Sequence, residues 1–274
     1  MTKLMAIMSA AVVAVGVTAA VPGSTATAQP ANRPATNVAR AAGGAQAATP
    51  AARAHHRFRT TQRWAREVTR YGDTDTSPWH IEHVRELQYR LAFAGVYHAG
   101  AVGHFGPKTR RGVRRYQRRE GLRVTGVANH KTWAHLLRDT VRHRGQTPHV
   151  CKTGGWHACY DRKMNQLTLW HSGHIVNTWL VRGGAHNMQT RRGTHWVYWR
   201  DIDHRSRTYG GSPMPYSQFF DGGEAIHGSR YMMNPFVGHS HGCVNMYVED
   251  ARQLWKLTAG HHRRLKVTVY AQWS

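Results

Sequence analysis

At 274 residues the chain has room for one large domain or two modest ones with ordinary cores. Its 38 Lys and Arg against 14 Asp and Glu give a formal charge of +24. A field of that size points to an anionic target, without choosing between nucleic acid and an anionic cell envelope.

The chain opens on Lys3, then an almost unbroken apolar run from Leu4 to Val21, then the breakers Pro22 and Gly23. Ala26-Thr27-Ala28 places small residues where a signal peptidase reads, so residues 1–28 are expected to be a signal peptide cleaved after Ala28. A retained anchor is the alternative, because 18 apolar residues are barely enough to span a bilayer. Lys3 is the one charged side chain removed by that cleavage, so the mature chain keeps +23. No later segment is apolar enough to cross, and the remainder is expected to be soluble, secreted and associated with the cell wall.

Residues 29–78 read as a disordered Ala/Pro-rich tether followed by a basic segment (His55 to Tyr71) with no assignable role. Organised structure is expected from near Trp79. Ile81, Val84, Leu87 and Leu91 keep the spacing of one helix face. Pro107 fits the first turn of a second helix, with Val113 and Tyr116 inward and Gly121 as its stop. Arg110-Arg111, Arg114-Arg115 and Arg118-Arg119 recur every four residues and cover its outer face. Asn129 can cap a third helix that turns Trp133, Leu136 and Leu137 inward.

Residues 79–138 thus predict a small three-helix domain, and residues 139–150 a basic linker. The pattern Leu87-Gln88, Leu91, Gly95, Gly103, Phe105-Gly106, Thr109, Tyr116-Gln117, Gly121-Leu122, Thr125-Gly126 and Thr132-Trp133 resembles the peptidoglycan-binding-like domain family. That resemblance implies docking on the wall. Its positions are mostly turn glycines and core residues, so they report the fold more than the ligand contacts.

From Cys151 to Ser274 the periodicity turns β-like. Leu167 and Leu169 alternate with polar neighbours, Ser172-Gly173 make a turn, and His174 to Val181 is a second run. Val197 with Trp199, and Leu265, Val267 and Val269, suggest further strands. Ala251, Leu254, Trp255 and Thr258 share one helical face after Cys243. The fold class is therefore a helical domain followed by a mainly β domain. Cys151 and Cys159 can close a short disulfide loop worth about 2 to 3 kcal/mol at most, or stay as two buried thiols. Either way Cys243 is left over.

The sharpest local signal is Ala225-Ile226-His227-Gly228 and then Ser240-His241-Gly242-Cys243-Val244-Asn245-Met246. A thiol nucleophile needs a nearby base and backbone donors for an oxyanion. His227 offers the base, Gly242 lets amides converge, and Ser240 and His241 can fix the loop by hydrogen bonds. Neighbouring Arg and His are expected to favour thiolate. A zinc site on the alternating His239, His241 and Cys243 remains open, as does an inert buried cysteine.

The run His227-Gly228 … Ser240-His241-Gly242-Cys243-Val244-Asn245 resembles the signature of L,D-transpeptidases (the YkuD-type catalytic domain). The resemblance implies Cys243 as nucleophile, His227 as proton acceptor and donor, and Ser240, His241 and Gly242 as loop and oxyanion scaffold. It implies substrate contacts at Asn245, Tyr216, Met214 and Gly228, and no metal, nucleotide or other cofactor. The implied activity is a ping-pong 3→3 cross-linking of stem peptides, with a tetrapeptide donor and a diamino-acid amine as acceptor. Implied partners are those peptides, anionic wall polymers and carbapenem inhibitors, with no nucleic acid. Hydrolysis instead of transfer would make an L,D-carboxypeptidase, and loss of catalysis a cationic wall-binding protein. One departure is Thr190-Arg191-Arg192-Gly193, where the family usually has Thr-Pro-x-Gly.

Overall fold

A computed structural model describes residues 62–261 and 264–272. The proposed signal peptide and most of the tether lie outside the described residues. Three helices form where the apolar spacing falls: α1 (Val84–Phe93), α2 (Pro107–Arg119) and α3 (His130–Asp139). Each has a local cause. Asp75 caps α1 from upstream, its Oδ1 accepting the Val84 N–H at 3.1 Å and its Oδ2 the Arg85 N–H at 2.8 Å. Pro107 opens α2, and Gly121 ends it at φ +63° while the Leu122 N–H reaches back to Gln117 O. Asn129 accepts the Thr132 N–H at 3.0 Å to cap α3. Leu87, Leu91, Val113, Tyr116, Trp133 and Leu136 meet in the core between them.

The β half contains β1 (Trp156–Asp161), β2 (Gln166–His171), β3 (His174–Leu180), β4 (Gly193–Trp196) and β5 (Trp199–Arg205). It continues with β6 (Pro213–Asp221), β7 (Glu224–Gly228), β8 (Val244–Met246), helix α4 (Val248–Leu257) and β9 (Leu265–Tyr270). The strands make two sheets, ordered β3-β2-β1-β9-β4 and β5-β6-β7-β8. Leu167, Leu169, Trp179, Ile226, Val244 and Leu254 pack in the core between the sheets and α4. Cys159, Trp170 and Ile175, on the other face of the first sheet, join the helical core instead.

Covering both faces removes the alternation expected in β2, where Thr168 is as buried as Leu167 and its hydroxyl meets that of Thr178 at 3.2 Å. The Ser172-Gly173 turn forms with both residues at positive φ, the geometry that suits a two-residue hairpin. Val197 and Trp199 do not share a strand. The Val197 N–H goes to Leu265 O and the Tyr198 N–H to Phe219 O, so the chain crosses from one sheet to the other between them. Cys151 and Cys159 are joined as a disulfide, which decides between bridge and buried thiols. Among the described residues no helix is long and apolar enough to cross a membrane.

The expected start of organised structure near Trp79 is too late. Trp64 is buried and its N–H donates to Val176 O, while Thr69 and Ala128 exchange backbone hydrogen bonds. Arg66, 2% exposed, pairs with Glu86 at 2.7 Å, and Glu86 also takes Arg90 at 2.9 Å. His83 lies between Glu67 and Asp250 of α4; burial opposes its charge, but those two carboxylates raise its pKa well above the usual imidazole range. Burial likewise opposes the Glu86 charge, yet Arg66 and Arg90 hold its pKa down at about 2. The basic segment had no assignable role in sequence because the carboxylate that buries Arg66, Glu86, lies 20 residues further along the chain. Glu86→Ala leaves two buried guanidinium groups without their carboxylate and is expected to cost about 3–5 kcal/mol in a denaturant melt.

Candidate active site

β7 and β8 run parallel, with Ile226 opposite Val244, His227 opposite Asn245 and Gly228 opposite Met246. Partners across a parallel pair face the same side, so His227 and Asn245 share a face, and Cys243, two residues before Asn245, shares it too. All three open into a cavity of about 540 Å³. Cys243 is the free cysteine, partly exposed.

His227 Nδ1–H donates to Gly228 O at 2.8 Å, which leaves Nε2 with its lone pair. Burial lowers this imidazole to about 4; the Gly228 carbonyl opposes, and His204 and Arg182 push further down. Burial also pushes the Cys243 thiol up to about 11, aided by Glu224 and opposed by the Ala225 N–H and Arg191. At pH 7 both side chains are therefore neutral, a thiol and an imidazole. The expectation that neighbouring Arg and His favour thiolate fails, because desolvation outweighs the one nearby guanidinium.

Ser240 does fix the Cys243 loop. Its hydroxyl donates to Cys243 O at 2.6 Å and accepts the Gly242 N–H at 3.1 Å. Its backbone N–H reaches Gly183 O at 2.8 Å. Gly242 adopts φ +120°, and a Cβ there would sit 2.9 Å from Glu224 Oε1. With its N–H committed to Ser240, Gly242 organises the loop and does not offer that donor to an oxyanion. His241 is exposed and stacks on Tyr209 at 4.4 Å, so among the described residues it holds the loop by ring contact in place of a hydrogen bond.

Of the residues implied as substrate contacts, Asn245 and Met214 line the cavity. Tyr216 does not; it turns edge-on to Trp255 of α4, on the core side. Gly228 also lies off the lining, pressed against Val248, and contributes its carbonyl to His227. The alternating His239, His241 and Cys243 do not converge as metal ligands. Among the described residues that spacing is met by His83, Glu86 and Asp250, which the buried ion pairs already occupy.

Sequence reasoning passed over Arg182, Tyr209 and Tyr231, which also line the cavity. It also passed over Glu224, three residues before His227. At Arg191, where the family pattern has proline, a backbone N–H donates to Glu224 Oε2 at 3.1 Å, a bond proline cannot make. Burial raises the Glu224 carboxyl to about 7, against the Arg191 N–H and charge. The departure noted in the sequence was thus the available signal, since it supplies the partner of a carboxylate lying under the nucleophile loop.

The peptidoglycan binding domain family matches residues 81–136, and the L,D-transpeptidase catalytic domain family (YkuD) matches residues 156–269. The β half is an L,D-transpeptidase catalytic domain. Its chemistry is peptidoglycan acyl transfer through a cysteine, as in that family, behind a peptidoglycan-binding domain. Among solved structures, the L,D-transpeptidase from Stackebrandtia nassauensis is 23% identical at a TM-score of 0.47, covering 77% of this chain and 98% of that one. The enzyme from Xylanimonas cellulosilytica is 25% identical at 0.43, covering 75% and 98%. An L,D-transpeptidase in complex with imipenem is 16% identical at 0.38, covering 42% and 59%. These likenesses are loose, and the assignment rests on the two family matches. Among curated proteins, none matches the chain.

Glu224→Gln removes a negative charge that raises the Cys243 thiol, so the thiol pKa is expected to fall below its present value of about 11. Iodoacetamide alkylation at pH 8 should then quicken by roughly tenfold for each unit of fall. An unchanged rate-against-pH curve would separate Glu224 from the thiol.

Proposed function

We propose that Cys243 and His227 carry the acyl transfer, with Cys243 attacking the carbonyl of the third, diamino-acid residue of a stem tetrapeptide. The observation that carries this reading is one cavity holding a partly exposed free thiol and an imidazole whose Nε2 is unencumbered. As sulfur bonds to carbon, the thiol proton passes to His227 Nε2. The C–N bond to the terminal D-Ala breaks, and the departing amine takes that proton. An amine of a neighbouring stem then attacks the thioester, gives its proton back through His227, and frees the thiol. The product is a 3→3 cross-link, and water in place of the amine would give carboxypeptidase turnover. Asn245 and Met214 on the cavity wall support a role in seating the donor. Carbapenems, which imitate the donor acyl group, are expected to acylate Cys243.

The disulfide and the peptidoglycan-binding family match support an exported, wall-associated enzyme. Attachment to anionic wall polymers finds support on α2. Lys108, Arg111 and Arg115, all exposed, border a cavity of about 310 Å³ with Tyr97 and His98. No acidic residue stands in the first turn of that helix to offset them.

Mass spectrometry of the purified chain with disaccharide-tetrapeptide is expected to show an acyl adduct lacking one D-Ala, and dimeric muropeptides. Cys243→Ala should show neither; dimers from that variant would sink the assignment. The acid limb of kcat/KM should fall near pH 4, where His227 gains a proton and ceases to be a base. Replacing Arg111 and Arg115 by Gln should weaken retention on isolated walls and flatten its salt dependence, with acylation of soluble donor unchanged.

A further inference from the structure

Arg182 follows β3 and is bridged to Asn245. Its N–H donates to Asn245 O at 2.9 Å, and its carbonyl accepts the Asn245 N–H at 2.8 Å. That pairing puts its side chain on the wall of the cavity that holds Cys243 and His227. The residue is 8% exposed, yet among the described residues no carboxylate pairs with it. Nη1 donates to Val237 O at 2.9 Å, and Nε is buried without a partner. Burial lowers the guanidinium pKa, and the Tyr247 hydroxyl is the group that opposes. Arg66 and Arg90 are buried on Glu86 and Arg162 on the carbonyls of Ala271 and Thr190, whereas Arg182 keeps its Nε unpartnered. A desolvated guanidinium without a counter-charge is costly, and its planar fork matches a carboxylate.

We infer that Arg182 determines donor specificity by binding a carboxylate of the stem peptide, seating the scissile carbonyl against Cys243. The inference rests on the donor reading above. In a donor whose diamino acid is a diaminopimelate, two carboxylates flank the scissile bond and can supply that group, the terminal D-Ala and the side chain of the diamino acid. The same contact reaches the base. The charge of Arg182 acts on His227 along with that of His204 of β5, against the hydrogen bond to the Gly228 carbonyl. Tyr209, Tyr231, His239 and His241 complete the titratable lining. A carboxylate on Arg182 cancels one of the two positive influences on the imidazole, so the base strengthens when the donor is bound.

The test is acylation of the full chain, followed by mass spectrometry, with three donors: the tetrapeptide, its C-terminal amide, and the form amidated on the diamino-acid side chain. Wild type should lose about 10- to 100-fold in the acylation rate constant with one of the two amides, and that amide identifies the carboxylate. Arg182→Gln should lose the same factor on the free acid and become indifferent to that amidation. Arg182→Lys should recover part of the loss. In Arg182→Gln the acid limb should also move upward from about pH 4, because one positive charge near His227 is lost, while the indifference to amidation is what a purely structural role would not cause. Should Arg182→Gln not fold, Arg182→Lys and the wild-type amide series decide. Wild type acylated equally by all three donors, or a variant that loses equally on acid and amide, overturns the role of Arg182. A wild type that takes no acyl group from any donor overturns the donor reading instead.

Discussion

Three residue pairs between β7 and β8 hold the reactive end of the protein together. The two strands run in the same direction, so the chain leaving Gly228 must travel back the full length of the pair before Val244. Parallel neighbours are commonly joined through a helix. Here residues 229–243 make the return as an irregular loop, and Tyr231, His239 and Ser240 from it become cavity wall. A slip of one residue in that short pairing would turn Cys243 to the face opposite His227. Ser240 and Gly242 guard the register, one by tying down Cys243 O and the other by a backbone conformation that side chains resist.

The helical domain braces this arrangement from behind. Tyr89 of α1 donates its hydroxyl to Asn234 at 2.9 Å and packs edge-on against Phe236 at 4.6 Å, both on the return loop. Asp250 and Gln253 of α4 meet His83 and Arg66. α4 begins two residues after β8 ends, so anchoring its first turn also anchors the strand that carries Asn245. Wall-binding module and catalytic unit are one packed body in this region, through charges buried from both sides.

Much of this was legible in sequence where the cause was local. The inner faces of α1 to α3, the Asn129 cap, the Ser172-Gly173 turn and the Cys243 motif all declare themselves within a few residues. What stayed hidden depended on distant partners. Residues 62–78 read as tether and unassigned basic segment because distant partners bury them: Glu86 for Arg66, Val176 for Trp64 and Ala128 for Thr69. The alternation in β2 misled because helices cover the face that a lone sheet would expose. Tyr216 looked like a substrate residue until α4 offered Trp255 to its ring. The electrostatic setting of Cys243 could not be read either, since the number of charges near a thiol says nothing of how dry its surroundings are.

That dryness has a consequence for how the chain keeps itself intact. It contains a formed disulfide and a free thiol, and thiolate attack on disulfides is the ordinary route by which such bonds scramble. With the thiol held near 11, only about one molecule in ten thousand carries the attacking form at pH 7. Cys243 is thus slow toward stray disulfides and mild oxidants, which meet it as the neutral thiol. The burial that raises this thiol is also what keeps it chemically quiet toward such partners.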